Sequence, residues 1–587
     1  MFYLDIIRPL VYIYFMAHLH KKIKNGKPYY YIREIARVNG KPKVVRQVYL
    51  GSPDRILQLI TSREREPVKF DAQEFGALWL ANLIDKEIDL SSLIDSVIPK
   101  KENEQEPSVG EYFIYAVFNR MIEPCSKRAL ADWYRNTAIQ SIRPVNINAL
   151  TSQRFWDKWN KVDENTLEKI STLFFEKVLT KERTDSECFL FDTTNYYTYM
   201  ATQTKSELAK RGNNKDGKHW LRQIGVALLV SRDNRIPMFY RTYEGNRHDS
   251  ALFNRLLQEV FSVMDAFGNR ERELTLVVDK GMNSEENIQA IDAHSRLHFI
   301  TTYSSYFAEH LIRVDLSRFE PVEVAKNRIL REQGNEDDQV LAWRTTECFW
   351  GKPRAVVVTY NPRTAAKQRY NFDKKLLLLH QSLVELRSKV AKNPYWRSEE
   401  RVERYYEKTC DQLHLPKDLY DFALEKVMGR QRLAFRKNYY RIGRYIERFG
   451  KNIIVTDHLD WSTSDIISAS LDRYVIENIF RQSKDRDLVS VIPIRHWTDS
   501  KIHCHIFTCI VALIYLRLLE IKLRKAGLEI SPPKAIHEMQ KLHACLYWLE
   551  GARKPKRLIE DPTPLQSKIL KAFGYKVVNG VLQKDSV

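Results

Sequence analysis

Apolar and polar positions change their spacing several times along this chain. From Lys22 to Leu50, KIKNGKPYYYIREIARVNGKPKVVRQVYL alternates β-formers with cations around Asn25-Gly26 and Asn39-Gly40, predicting a small basic β-meander. From Asp71 to Leu179 the spacing is helical, broken at Pro107, Pro124 and Pro144. Within it SVGEYFIYAVFNRMIEPCSKRALADWYRN predicts a buried helix, a turn and a surface carrying Lys127, Arg128, Trp133, Tyr134 and Arg135. From Cys188 the text turns to strands: CFLFDTTNYY, HWLRQIGVALLVSRD and IPMFYRTYEGN, then the helix DSALFNRLLQEVFSVMDAF, the strand LTLVVDKG, the helix SEENIQAIDAH and the strand LHFITTYSS. Three strands followed by helix, strand, helix and strand predict a mixed α/β sheet. Between Thr301 and Gly450 the order breaks into strand-like pieces, a long charged helical run and the Arg- and Tyr-rich GRQRLAFRKNYYRIGRYIERFG, as expected of an insertion. Strand spacing resumes in GKNIIVTDHLDW; a helix over LDRYVIENIFRQSK follows, then a loop and a long apolar helix that turns cationic at its end. Beyond Ser531 the tail holds several prolines and no recognisable chemistry.

On the LDRYVIENIFRQSK helix, at about 100° per residue, Arg473, Glu477 and Lys484 fall within roughly 40° of one another. Ile467, Leu471, Val475 and Ile479 would form the apolar stripe opposite. A carboxylate between two cations suits a metal-dependent phosphoryl-transfer site, the cations holding phosphate oxygens. Two further acids, Asp192 and Asp279, stand where apolar strands give out, and there a side chain can emerge at a sheet edge. Two-metal chemistry needs carboxylates converging on cations about 4 Å apart, and hard Mg²⁺ prefers oxygen ligands, so no histidine cluster is required.

Charge narrows the partner. Lys and Arg number 94 against 74 Asp and Glu, a net +20 over 587 residues, which favours a polyanion such as DNA or RNA. Seven scattered cysteines without zinc-finger spacing suit a reducing compartment; His503, Cys504, His505 and Cys509 lie in an apolar run and are expected to be buried. The opening MFYLDIIRPLVYIYF is too short and too interrupted to span a membrane, and lacks a signal peptide's features. The expectation is an extension preceding a working start near Met16.

Asp192 in FDTT, Asp279 in VVDKGM and Glu477 in RYVIENIFRQSK resemble the three acids of the DDE transposases of prokaryotic insertion sequences. The branch most similar has a Tyr-x2-Arg-x3-Glu-x6-Lys signature, which Arg473, Glu477 and Lys484 match while Ser470 stands at the Tyr position. The resemblance implies a ribonuclease-H-like mixed sheet interrupted by a β-rich insertion, with the meander and a helical DNA-binding region before it. The corresponding segments are 1–60 (extension and meander), 65–180 (helical DNA-binding region), 185–305 and 451–525 (two parts of the core), 306–450 (insertion) and 526–587 (tail). It also implies two Mg²⁺ or Mn²⁺ ions held by Asp192, Asp279 and Glu477, with Arg473, Lys484, Lys280 and Arg495 on DNA. The activity implied is cleavage at the element's ends and transfer of the freed 3′-hydroxyl into target DNA. The partners are double-stranded DNA with terminal inverted repeats, target DNA and a second copy on paired ends, in the cytoplasm at the nucleoid and away from membranes. An aromatic residue of the insertion region, Trp461, Trp350 or Trp343, would meet a flipped base. The competing readings are an inactive DNA-binding relic and a stand-alone nuclease.

Overall fold

The computed structural model describes residues 16–24, 27–38, 41–61, 67–182, 187–200, 203–212, 217–247, 253–261, 273–427, 430–549 and 555–585. The N-terminal extension, both Asn-Gly turns and both ends of the helix expected from Asp249 (249–252 and 262–267) lie outside them.

Strands β1 (Met16–Lys24), β2 (Lys27–Val38) and β3 (Lys41–Gly51) form an antiparallel meander. After β4 (Pro67–Glu74) comes a helical layer whose main members are Gly76–Ile88, Val109–Ile122, Ser152–Trp159 and Glu164–Lys181. Ser108 and Glu111 close a capping box at the start of the Val109–Ile122 helix, each side chain bonding the other's backbone N–H. That helix is buried nearly all round, so its tyrosines turn inward, Tyr112 donating to the Ala149 carbonyl at 2.6 Å. The expected basic aromatic surface is corrected here: Lys127, Trp133 and Tyr134 are buried, because their rings and stem fill space between helices.

The central sheet begins with β5 (Cys188–Thr198), β6 (Arg222–Ser231), β7 (Pro237–Glu244), β8 (Leu274–Val278) and β9 (Leu297–Tyr303). β5, β8 and β9 run parallel, while β6 and β7 fold back antiparallel on the other side of β5. Period-two alternation sends Phe189 and Phe191 into one core, with Phe253, Leu257 and Ile288. Leu190 and Tyr196 face the other, with the helices.

The insertion differs from expectation. β10 (Glu320–Pro321), β11 (Leu341–Phe349) and β12 (Lys352–Tyr360) are no separate β-rich domain: they extend the central sheet through β15 (Lys451–Thr456), giving nine strands in the order β10-β11-β12-β15-β9-β8-β5-β6-β7. The excursion between β12 and β15 is mainly helical, Pro362–Lys392 and Glu399–Leu413, with one hairpin, β13 (Tyr420–Val427) and β14 (Arg430–Lys437). Leu376, Leu379, Leu383 and Leu386 point from the long helix into a core of its own with Tyr406 and Leu433. β11 and β12 join the main core instead through Ala342, Ala355 and Val357 beside Ile454, while Val356 and Val358 pack with Ile453 and Val455 in a smaller cluster on the opposite face.

The helix Asp499–Lys525 runs through the middle of the molecule and is buried on every side until its last turns, packing against Val109–Ile122 and the sheet. Cys504, His505 and Cys509 are indeed buried there. Among the described residues no helix is long and apolar enough to cross a membrane. In the tail, β16 (His543–Leu549) pairs with both β4 and β17 (Lys556–Ile559), and β18 (Tyr575–Val578) pairs with β19 (Val581–Lys584).

Candidate active site

Asp192 lies in the middle of β5, opposite Leu228, not at the strand's end as its sequence suggested. It still reaches an edge. β5 pairs with β8 only over Cys188–Leu190, so from Asp192 onward that side of β5 is free of β8. Asp279 follows the last residue of β8 directly and heads the turn Lys280–Met282. Parallel strands therefore deliver both acids to the same end of the sheet.

Glu477 comes from a helix that is broken where the sequence predicts continuity. Thr463–Leu471 and Tyr474–Lys484 are separate helices hinged at Asp472 and Arg473. Arg232 at the end of β6 donates to Asp472 at 2.7 Å and pins the hinge. The break shifts the phase, so the expected stripe is corrected: Leu471 is exposed and Ile479 only partly covered, while Val475, Ile476, Phe480 and Ser483 are buried. The second helix is bolted onto the far half of β5. Ser483 Oγ donates to the Phe480 carbonyl, so the Tyr196 hydroxyl is the donor in the 2.7 Å bond to Ser483. One residue on, Lys484 Nζ donates to Thr194 Oγ1 at 2.9 Å and lies 5.5 Å from the Tyr196 ring.

This docking brings the first turn of the helix over the acids. Arg473 Nη1 donates to Asp279 Oδ1 at 2.6 Å, and Nη2 to Glu477 Oε1 at 3.2 Å. Burial opposes the charge on Arg473, but Asp279, Asp192 and Glu477 outweigh it and hold the guanidinium above its ordinary range. One cation thus answers to three acids from three distant segments. Asp192 itself accepts the Thr193 N–H at 2.8 Å. Glu477 is exposed, and Lys280 is exposed beside Asp279. Arg495 is exposed on the loop that follows, next to Ile494, which bridges Thr198 at the end of β5.

The donor set is carboxylate oxygen throughout, which fits a hard divalent cation. Among the described residues, however, no three Asp, Glu, His or Cys side chains are grouped closely enough to hold one, and Arg473 is the positive charge among the acids. Arg473 engages one oxygen of each carboxylate, so a divalent ion would take the second oxygens beside the guanidinium or displace it from the first.

The three tryptophans do not offer a free ring. Trp461 stacks on His458 at 4.0 Å, Trp350 packs against Phe299 and Tyr303, and Arg318 covers Trp343. More exposed rings past β9 are those of Tyr306 and Phe307, 70% and 75% exposed and edge to face with each other, with Arg448 5.8 Å from the Tyr306 ring. Thr194, Tyr196 and Ser483, which position the helix, carried no sequence signal beyond lying near the acids. Their only mark is that Tyr196 shares the alternation face of Leu190.

The chain matches the family described as Transposase DDE domain over residues 184–515. Among solved structures it is similar to a cryo-EM structure of a piggyBac transposase synaptic complex with hairpin DNA, at 10% identity and a TM-score of 0.37, covering 80% of this chain and 82% of that one. No curated protein matches it. The matched segment begins just before β5, takes in Asp192, Asp279 and Glu477, ends within the central buried helix and spans more than half of the chain: this protein belongs to the transposase DDE domain family.

Proposed function

We propose that the protein cleaves DNA at the ends of an insertion sequence and joins the freed 3′-hydroxyl to target DNA, with Asp192, Asp279 and Glu477 as the metal-binding acids. The observation that carries this reading is the single guanidinium of Arg473 shared by Asp279 and Glu477 and coupled to Asp192. Acids that hold one partly buried cation together can hold another there.

Two Mg²⁺ or Mn²⁺ ions, when bound by these carboxylates, would activate the attacking oxygen and stabilise the leaving one. The chain's own residues do the rest. Arg473, released from Asp279 and Glu477, has a fork matched to a phosphate. Lys484, Lys280 and Arg495 line the approach from the β5 side and from the turn after β8, and take backbone phosphates of the duplex. Tyr306 and Phe307, rather than the three tryptophans, are the rings on which an unpaired base would stack. The strand order β7-β6-β5-β8-β9, with β6 and β7 antiparallel, supports a ribonuclease-H-like core. The Arg473, Glu477, Lys484 spacing supports the prokaryotic branch. In this reading the meander and the 65–180 helices bind the terminal repeats, two copies work on paired ends, and the protein acts at the nucleoid in the cytoplasm.

The test is incubation with Mg²⁺ and labelled DNA carrying the element's end, identified from short inverted repeats flanking the gene. Cleavage followed by joining is expected. Cleavage alone would make it a nuclease, and binding alone a relic.

A further inference from the structure

Behind the catalytic helix, where the loop 485–498 meets the helical layer, a cluster of buried polar atoms has no hydrogen-bond partner among the described residues: Lys127 Nζ, Trp159 Nε1, Arg120 Nε, His496 Nδ1 and His505 Nδ1. They come from four places in the chain and share one neighbourhood. Lys127 Nζ lies 5.2 Å from the Trp159 ring and 5.3 Å from the Phe155 ring. The Trp159 and His496 rings are 5.6 Å apart, and those of His496 and His505 are 5.2 Å apart.

The cluster is cationic. Arg120 spends Nη1 and Nη2 on the carbonyls of Val489, Ser490 and Cys125, and among the described residues neither it nor Lys127 forms a salt bridge. The charges that act most on Lys127 are Arg120 and the thiols of Cys509 and Cys125, and burial with Arg120 pushes the ammonium down to about 7. Burial, then Lys127 and Arg120, push His496 down to about 3. Donors dominate: the ammonium, the indole N–H and the Arg120 Nε–H can only donate. The exception is His505, whose Nε2 donates to the Val491 carbonyl, leaving Nδ1 as a lone pair. The Phe155 and Trp159 faces meet the Lys127 ammonium in part, but with Arg120 acting on it, idle N–H groups around it and no carboxylate, its charged form is favoured only when something negative completes the cluster.

We infer that this cluster is a binding site for a small monovalent inorganic anion, of the halide class, coordinated by Lys127 Nζ and Trp159 Nε1. Lys127 and Arg120 are nearly closed to solvent, at 7% and 8% exposed, which rules out a diester of the DNA backbone and leaves a monoatomic ion. Bound there, the anion ties the turn carrying Lys127 to the end of the helix Ser152–Trp159, beside the Arg120 side chain that grips the loop holding Val489 and Ser490, both at positive φ. That loop leads from Lys484 to Arg495, so the site secures the DNA-facing side of the enzyme without touching the acids.

The probe is bromide. Crystals of the full chain grown in sodium bromide should show an anomalous peak within hydrogen-bond distance of Lys127 Nζ and Trp159 Nε1; water alone in that position overturns the inference. In solution, the full chain should melt about 2 °C higher in sodium chloride than in sodium gluconate at equal ionic strength. Lys127→Met should abolish the difference. A difference that survives in the variant also overturns the inference, and if the variant does not fold, the bromide peak in the unaltered protein decides.

Discussion

Arg473 and Asp279 stand 194 positions apart in the chain, yet the guanidinium of one lies 2.6 Å from the carboxylate of the other. The hinge at Asp472 makes this possible, by starting a new helix with its first turn aimed at the end of β8. It also poses a competition, because a guanidinium and a divalent cation that share these carboxylates repel each other.

Arg473→Gln should therefore tighten Mn²⁺ binding by the DNA-free protein by about tenfold, equivalent to about 1.4 kcal/mol, while slowing cleavage. Electron paramagnetic resonance titration of free Mn²⁺ reads the affinity. Unchanged or weaker binding, still dependent on Asp279, would show that the arginine helps to assemble the site; binding independent of Asp279 would remove the acids from the metal altogether.

Asp279→Ala should lower cleavage by about a thousandfold while leaving binding to end DNA nearly as it was. Cleavage in Mg²⁺ and a gel-shift titration, run on the same preparation, separate the two. Equal loss of both would make the residue a brace for Arg473.

Lys484→Ala should weaken binding to all DNA sequences alike and reduce the slope of log affinity against log salt by about one unit. A loss confined to one sequence would contradict a phosphate contact.

Tyr196→Phe should cost about 1 kcal/mol of stability, since it leaves a buried Ser483 oxygen with one partner fewer, and it should lower cleavage more than DNA binding by loosening the Glu477 helix. Urea unfolding monitored alongside the cleavage assay would show both effects or refute the link.

Glu74 offers a pH test. Burial, reinforced by Glu123, raises its carboxyl to about 8, and its Oε1 has no hydrogen-bond partner among the described residues. The unfolded chain gives up this proton near the ordinary 4.5, so stability is lost as pH rises from there to about 8. Glu74→Gln should raise the melting temperature at pH 8 and change it little at pH 4; the opposite pattern would mean that the carboxylate is ionised in the fold.

How much of this was readable beforehand depended on distance along the chain. Asp192 and Asp279 announce themselves through the strands that carry them, and Glu477 through its spacing from Arg473 and Lys484. All three are local signals, and the structure places the acids around one guanidinium. The hinge at Asp472 was hidden, because Arg232, which pins it, sits on another strand. β11 and β12 look like an insertion until β15 arrives to join them to the sheet. Lys127 was assigned to the surface because lysines usually are; nothing nearby in sequence shows that Phe155 and Trp159 will close over it.

The pairing of β16 with β4 has a consequence for how the protein is made. β4 leads straight into the helix Gly76–Ile88, and the Leu542 carbonyl receives the N–H groups of both Phe75 and Gly76. The first helix of the helical layer gains those two bonds only after Leu542 has left the ribosome. A nascent chain would thus carry β4 and the start of that helix without these partners until synthesis is nearly over, and a copy cut short before Leu542 would keep them so.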